Sequence, residues 1–83
     1  MAKKLLGTIS VDSYRGKVEK TKTGEYVRTD YDLRFKSVRT EKVSDLKAAE
    51  LLAYSDWTVC DELAAAKSTK YPFHAILAEL DDL

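Results

Sequence analysis

The sequence predicts an α+β domain, a long antiparallel β-hairpin or small sheet packed against two or three α-helices. Two observations carry this. Apolar residues recur with period two as far as residue 42 and with a spacing of three and four after it, and the formal charge changes sign at the same boundary. Residues 1–42 hold eleven Lys and Arg against six Asp and Glu, a net +5, while residues 43–83 hold three against eight, a net −5. The overall charge of zero therefore hides two opposed halves. With 83 residues the chain is long enough for one domain only. A lone hairpin is marginal in water, so the helical half must cover it.

The first strand is read from Leu5, Gly7, Ile9 and Val11, which alternate with Leu6, Thr8, Ser10 and Asp12. The apolar parity then shifts to Tyr14 and Val18, which reads as a bulge, with Gly16 close by to supply unusual backbone angles. Lys20 to Glu25 form the hairpin loop, and Gly24 stands where such a loop needs a positive φ. From Val27 the residues Val27, Thr29, Tyr31, Leu33, Phe35 and Ser37 alternate with Arg28, Asp30, Asp32, Arg34, Lys36 and Val38. This predicts one strand of about twelve residues with the Val27 parity buried. Asp30 and Asp32, flanked by Arg28 and Arg34, then form a mutually neutralised outward row.

In the second half Leu46, Ala49, Ala53, Trp57, Cys60 and Ala64 share a helical stripe that Leu52, Val59 and Leu63 widen. Ser44 is the expected N-cap, with Asp45 in the first turn. The stretch Tyr54-Ser55-Asp56-Trp57 leaves two readings of residues 44–67: one bent helix, or two, the second capped by Ser55 or Asp56. Residues 71–80 place Phe73, Ile76, Leu77 and Leu80 at helical spacing with Pro72 at a first helical position, and helix is favoured over strand.

Chemistry is sparse. Cys60 lies on the apolar stripe beside Asp61 and Glu62, which reads as a small core residue and not a nucleophile. One His and one Cys cannot build a four-ligand zinc site in a single chain. No phosphate-binding, dinucleotide-binding, zinc-protease, serine-hydrolase or calcium-loop pattern occurs, so neither catalysis nor a cofactor is expected. The basic, then apolar, start from Met1 to Leu6 is interrupted at Gly7 and Thr8, and no membrane segment is expected. The lone cysteine gives no sign of an oxidising compartment, and a cytoplasmic setting is the expectation.

What remains is charge. Arg15, Lys17, Lys20, Lys22 and Arg28, with Tyr14, Tyr26 and Tyr31 among them, form a candidate basic surface for a partner, and interleaved cations and aromatics suit nucleic acid. Glu50, Asp56, Asp61 and Glu62 form a candidate acidic surface for a basic protein, with Tyr54 or Trp57 as aromatic anchor unless Trp57 is simply the largest core residue. The leading expectation is a non-catalytic protein-binding module that occupies a partner's surface. Such a chain would be a small stand-alone inhibitor or regulator, of the sort phages and mobile elements direct at host nucleic-acid-handling machinery such as CRISPR; this rests on size and composition and on no motif. Nucleic-acid binding is the alternative, a self-assembling subunit or homodimer the third.

Overall fold

The structure is a computed structural model describing residues 3–83, so Met1 and Ala2 of the basic start lie outside the described residues. The elements run β1 (Lys4–Val11), β2 (Tyr14–Lys20), β3 (Tyr26–Asp32), β4 (Ser37–Val43), α1 (Asp45–Ala53), β5 (Trp57–Val59), α2 (Asp61–Lys67) and α3 (Pro72–Leu80). The strands form one antiparallel sheet in the order β4-β3-β2-β1-β5. The fold is therefore α+β, with the helices segregated to one face of the sheet.

Each of the two long strands expected from sequence is folded back on itself. The parity shift after Asp12 is a two-residue loop, Asp12-Ser13, between the paired residues Val11 and Tyr14. Asp12 has φ 51°, a left-handed conformation that its short polar side chain tolerates. The bulge lies earlier, where the register slips between Leu5 and Gly7, and there Leu6 is fully buried. The twelve-residue alternation is likewise broken at Leu33–Lys36. Asp32 Oδ1 accepts from the Arg34 N–H at 2.9 Å, Lys36 takes φ 52°, and the Leu33 N–H donates to Ser13 O at 2.8 Å, tying this turn to the first. Leu33 and Phe35 keep the spacing of a strand by coincidence and are exposed. The Lys20–Glu25 loop is as expected, with Gly24 at φ 89°.

The face of β3 turned toward the helices is the Tyr26 parity and not the expected Val27 parity, although Val27 is itself buried, at 8% exposure. Residues paired across strands share a face, and Val18, Tyr26 and Trp57 point to the helices, as does Leu6. Arg28, Asp30 and Asp32 continue the Tyr26 face; Val27, Thr29 and Tyr31 lie on the face that no helix covers. The physical reason is that the helices reach β3 only near Tyr26. Beyond it, Arg28, Asp30 and Tyr14 satisfy one another instead of being covered.

Ser44 caps α1, its hydroxyl accepting from the Lys47 N–H at 3.1 Å. The chain does break after α1, but residues 57–59 form a strand, and the residue before α2 is Cys60, with no capping side-chain hydrogen bond, and not Ser55 or Asp56. Three residues are too few to show a period; β5 is fixed by pairing with Gly7, Thr8 and Ile9. The single stripe is corrected accordingly: Leu46 and Ala64 are exposed, and the helices bury Ala48, Ala49, Leu51, Leu52, Leu63 and Ala66. Trp57 is in the core, and Cys60 packs at its margin. α3 is helical with Pro72 in its first turn and Ile76 and Leu80 fully buried.

Two close arrangements fix the helical half, one against the sheet and one within itself. A Cβ at Gly7 would collide with Leu52 Cδ2 and approach Thr58 O at 2.8 Å, so only glycine lets α1 seat on β1. The Lys67 ammonium donates to Leu52 O at 2.5 Å, to Trp57 O at 2.8 Å and to Tyr54 O. α1 has no basic residue in its own last turn, and Lys67 of α2 supplies the cation that its C-terminal carbonyls lack.

Candidate partner-binding surfaces

On the helical side, α1 and the start of α3 enclose a shallow groove of about 520 Å³ lined by Leu46, Lys47, Glu50, Ala53, Tyr54 and Phe73. Its walls are largely apolar, and Leu46 and Tyr54 are more than half exposed. Glu50 is the polar feature: its carboxylate lies 3.3 Å from Lys47 Nζ and accepts from Tyr54 Oη at 3.4 Å. The i, i+4 spacing of Glu50 and Tyr54 places acid and aromatic side by side. Of the four acids expected to form one patch, only Glu50 lies beside Tyr54. Trp57 is 4% exposed and is unavailable as an anchor.

The other candidate acids are dispersed. Asp56 lies in the connector after α1; Asp61 and Glu62 lie in the first turn of α2, where they favour the helix dipole. Glu62 lines a separate depression between α2 and α3 and is held 2.9 Å from Lys4 Nζ. That contact keeps the Glu62 carboxyl below its ordinary pKa and raises that of Lys4.

The candidate cations divide between the two faces of the sheet. Arg15 and Lys17 flank a depression of about 310 Å³ on the uncovered face, together with Thr8, Ser10, Thr29 and Tyr31. Lys22 is exposed in the β2–β3 loop. Lys20 and Arg28 point the other way and are engaged within the fold. Lys20 Nζ donates to Leu80 O at 2.7 Å and Leu83 O at 2.9 Å, a cation at the C-terminal end of α3. Arg28 donates to Asp30 Oδ1 and Tyr14 Oη, each at 3.1 Å, while Tyr14 Oη donates to Asp30. Burial and the bond to Asp30 push the Tyr14 phenol above its ordinary pKa. These partners lie 14 and 16 residues apart in sequence, and only the strand register brings them together.

Charge polarity survives folding. Of seven ion pairs among the described residues, six close within one half and only Lys4–Glu62 crosses between halves. Most are exposed and contribute little to stability. Their effect is local: the sheet retains its net positive and the helices their net negative charge. Among the described residues no group of three or more His, Cys, Asp or Glu side chains converges as a metal site would require, and no helix is long and apolar enough to cross a membrane.

Comparison of the chain with models of protein families, with curated proteins and with solved structures gave no match.

Proposed function

We propose that this chain is a non-catalytic protein-binding module that acts by occupying a partner's surface, as a small inhibitor or regulator would. The observation that carries the reading is the α1–α3 groove: exposed Leu46 and Tyr54 beside Glu50, on the half with net charge −5. An aromatic with a polar tip next to an acid is the composition of an interface anchor, and the surrounding negative potential steers a basic partner toward it. The mechanism is steric and electrostatic; it uses no reacting group.

The test is capture from a lysate by the immobilised chain, with Tyr54→Ala, Glu50→Lys and Lys22→Glu in parallel. A stoichiometric protein retained by wild type and by Lys22→Glu, and bound about thirtyfold more weakly by Tyr54→Ala, is the expected result for a hot-spot residue. Equal capture by all four chains overturns the assignment.

The uncovered sheet face favours a second reading, binding of single-stranded nucleic acid. There Tyr31 lies directly across from Arg15, beside Lys17, so that a base could stack while cations meet phosphates. Titration of labelled single-stranded RNA and DNA should show binding at ~50 mM salt that weakens steeply by ~200 mM and is reduced by Tyr31→Ala. No binding at the lower salt rejects it.

A further inference from the structure

We propose that the chain forms a two-fold symmetric dimer in which β4 pairs antiparallel with β4 of a second copy, centred on Thr40, to make one continuous ten-stranded sheet. β4 is an edge strand of seven residues, six of them exposed, and the helices pack elsewhere, leaving its outer side open. The opposite edge, β5, has only three residues. A long open edge is a template for another strand unless proline, a bulge or unfavourable charge blocks it. β4 has neither proline nor bulge, and its charges select a register instead of forbidding one.

The selection follows from symmetry. A two-fold axis perpendicular to the sheet keeps each residue on its own face, so directly opposed residue numbers must sum to an even value. A sum of 78 sets Arg39 against Arg39 and a sum of 82 sets Glu41 against Glu41, both repulsive. A sum of 80 sets Thr40 on the axis, opposes each Arg39 to the Glu41 of the other copy, and lays Val38 against the Lys42 stem. Within one chain Arg28 already lies opposite Glu41, and Asp30 opposite Arg39. The dimer extends this order into rows of four, Arg28, Glu41, Arg39 and Asp30, that alternate in sign across the junction. In the single chain Arg39 and Glu41 make only a 3.9 Å contact along their own strand and remain exposed to solvent, Arg39 the more so, which leaves both able to exchange partners. The same register brings the turn carrying Leu33 and Phe35 to the level of Ser44–Leu46 of the second copy. Phe35 is 72% exposed, the most exposed large apolar side chain among the described residues, and the junction gives it a neighbour.

Sedimentation equilibrium of the full chain at low salt tests this with two exposed charge reversals, folding being checked by circular dichroism. Wild type should be a concentration-dependent dimer. Arg39→Glu and Glu41→Arg should each weaken it by about tenfold or more, because both cross-strand pairs become repulsive. An equimolar mixture of the two variants should reassociate as a heterodimer, because every opposed pair is then of opposite sign. Independently, Thr40→Cys on a Cys60→Ser background should form an intermolecular disulfide on mild oxidation, and Lys22→Cys on that background should not, since only the axial residue meets its own copy within disulfide reach. A wild type that stays monomeric at ~200 µM, single variants that associate as wild type does, or a mixture that stays monomeric overturns the proposal. None of these substitutions touches Glu50 or Tyr54, so the result is separable from the partner groove.

Discussion

Replacing Lys67 with Met keeps the aliphatic stem and removes the ammonium that bonds Leu52 O, Tyr54 O and Trp57 O. The bond to Tyr54 O is exposed and water replaces it; the other two are partly buried, and there the carbonyls lose a charged donor. A hydrogen bond to a charged group contributes ~1.5–3 kcal/mol net. Burial opposes the charge and lowers the lysine's pKa, which discounts that gain. Two discounted bonds and one water-replaced bond give an expected loss of ~2–3 kcal/mol. A domain of this length has only ~4–12 kcal/mol in total. The variant should therefore melt ~10–20 °C below wild type. Urea denaturation followed by far-ultraviolet circular dichroism and Trp57 fluorescence measures it, since the carbonyl of Trp57 is one of the three acceptors. A variant within ~0.5 kcal/mol of wild type would show that the α1–β5 break is held by other contacts and would refute the clamp.

Gly7→Ala should destabilise by ~1–3 kcal/mol, because Leu52 and the Thr58 carbonyl must both move; thermal melts measure this, and a neutral substitution would contradict the close seating of α1. Gly24→Val should cost ~1–2 kcal/mol through backbone strain alone, as nothing lies within 4 Å of its Cβ, whereas Lys22→Glu should leave the melt unchanged; equal losses would refute that division. The Glu62 carboxyl, held below its ordinary pKa by Lys4, contributes stability above the ordinary glutamate range that is lost as pH falls through the folded-state value. Glu62→Gln should therefore flatten the acid limb below the ordinary glutamate range, read as the urea midpoint at each pH, and an unchanged limb would mean the ion pair contributes nothing.

The class of fold was legible because it rests on period, and period is local. Ser44 as cap, Pro72 in the first turn of a helix and Gly24 at positive φ were readable for the same reason. The two turns that divide the long strands were not, because Leu33 and Phe35 keep alternating through a segment that doubles back, and Asp12-Ser13 carries no glycine to mark it. Which residues of β3 join the helical core is decided by tertiary packing and not by alternation, and Tyr26 alone does so. The split of the basic cluster follows directly: Arg15 and Lys17 have one strand parity, Lys20 and Arg28 the other. Glu50 and Tyr54 were readable as neighbours from helical spacing, but their groove was not, since it needs Phe73 from another helix. Lys67 left no trace in sequence, because its three acceptors are main-chain oxygens 10 to 15 residues away.

The place of β5 beside β1 has a consequence for biosynthesis. Strands β1 to β4 follow one another through short loops and can pair while the ribosome is still at work, yet β1 keeps a bare flank until Trp57-Thr58-Val59 emerges. Until then the sheet has two long open edges, β1 and β4; in the finished sheet the three-residue β5 replaces β1 as an edge. The last third of the chain thus completes the sheet and its helical cover, and a chain truncated before residue 57 is expected to aggregate.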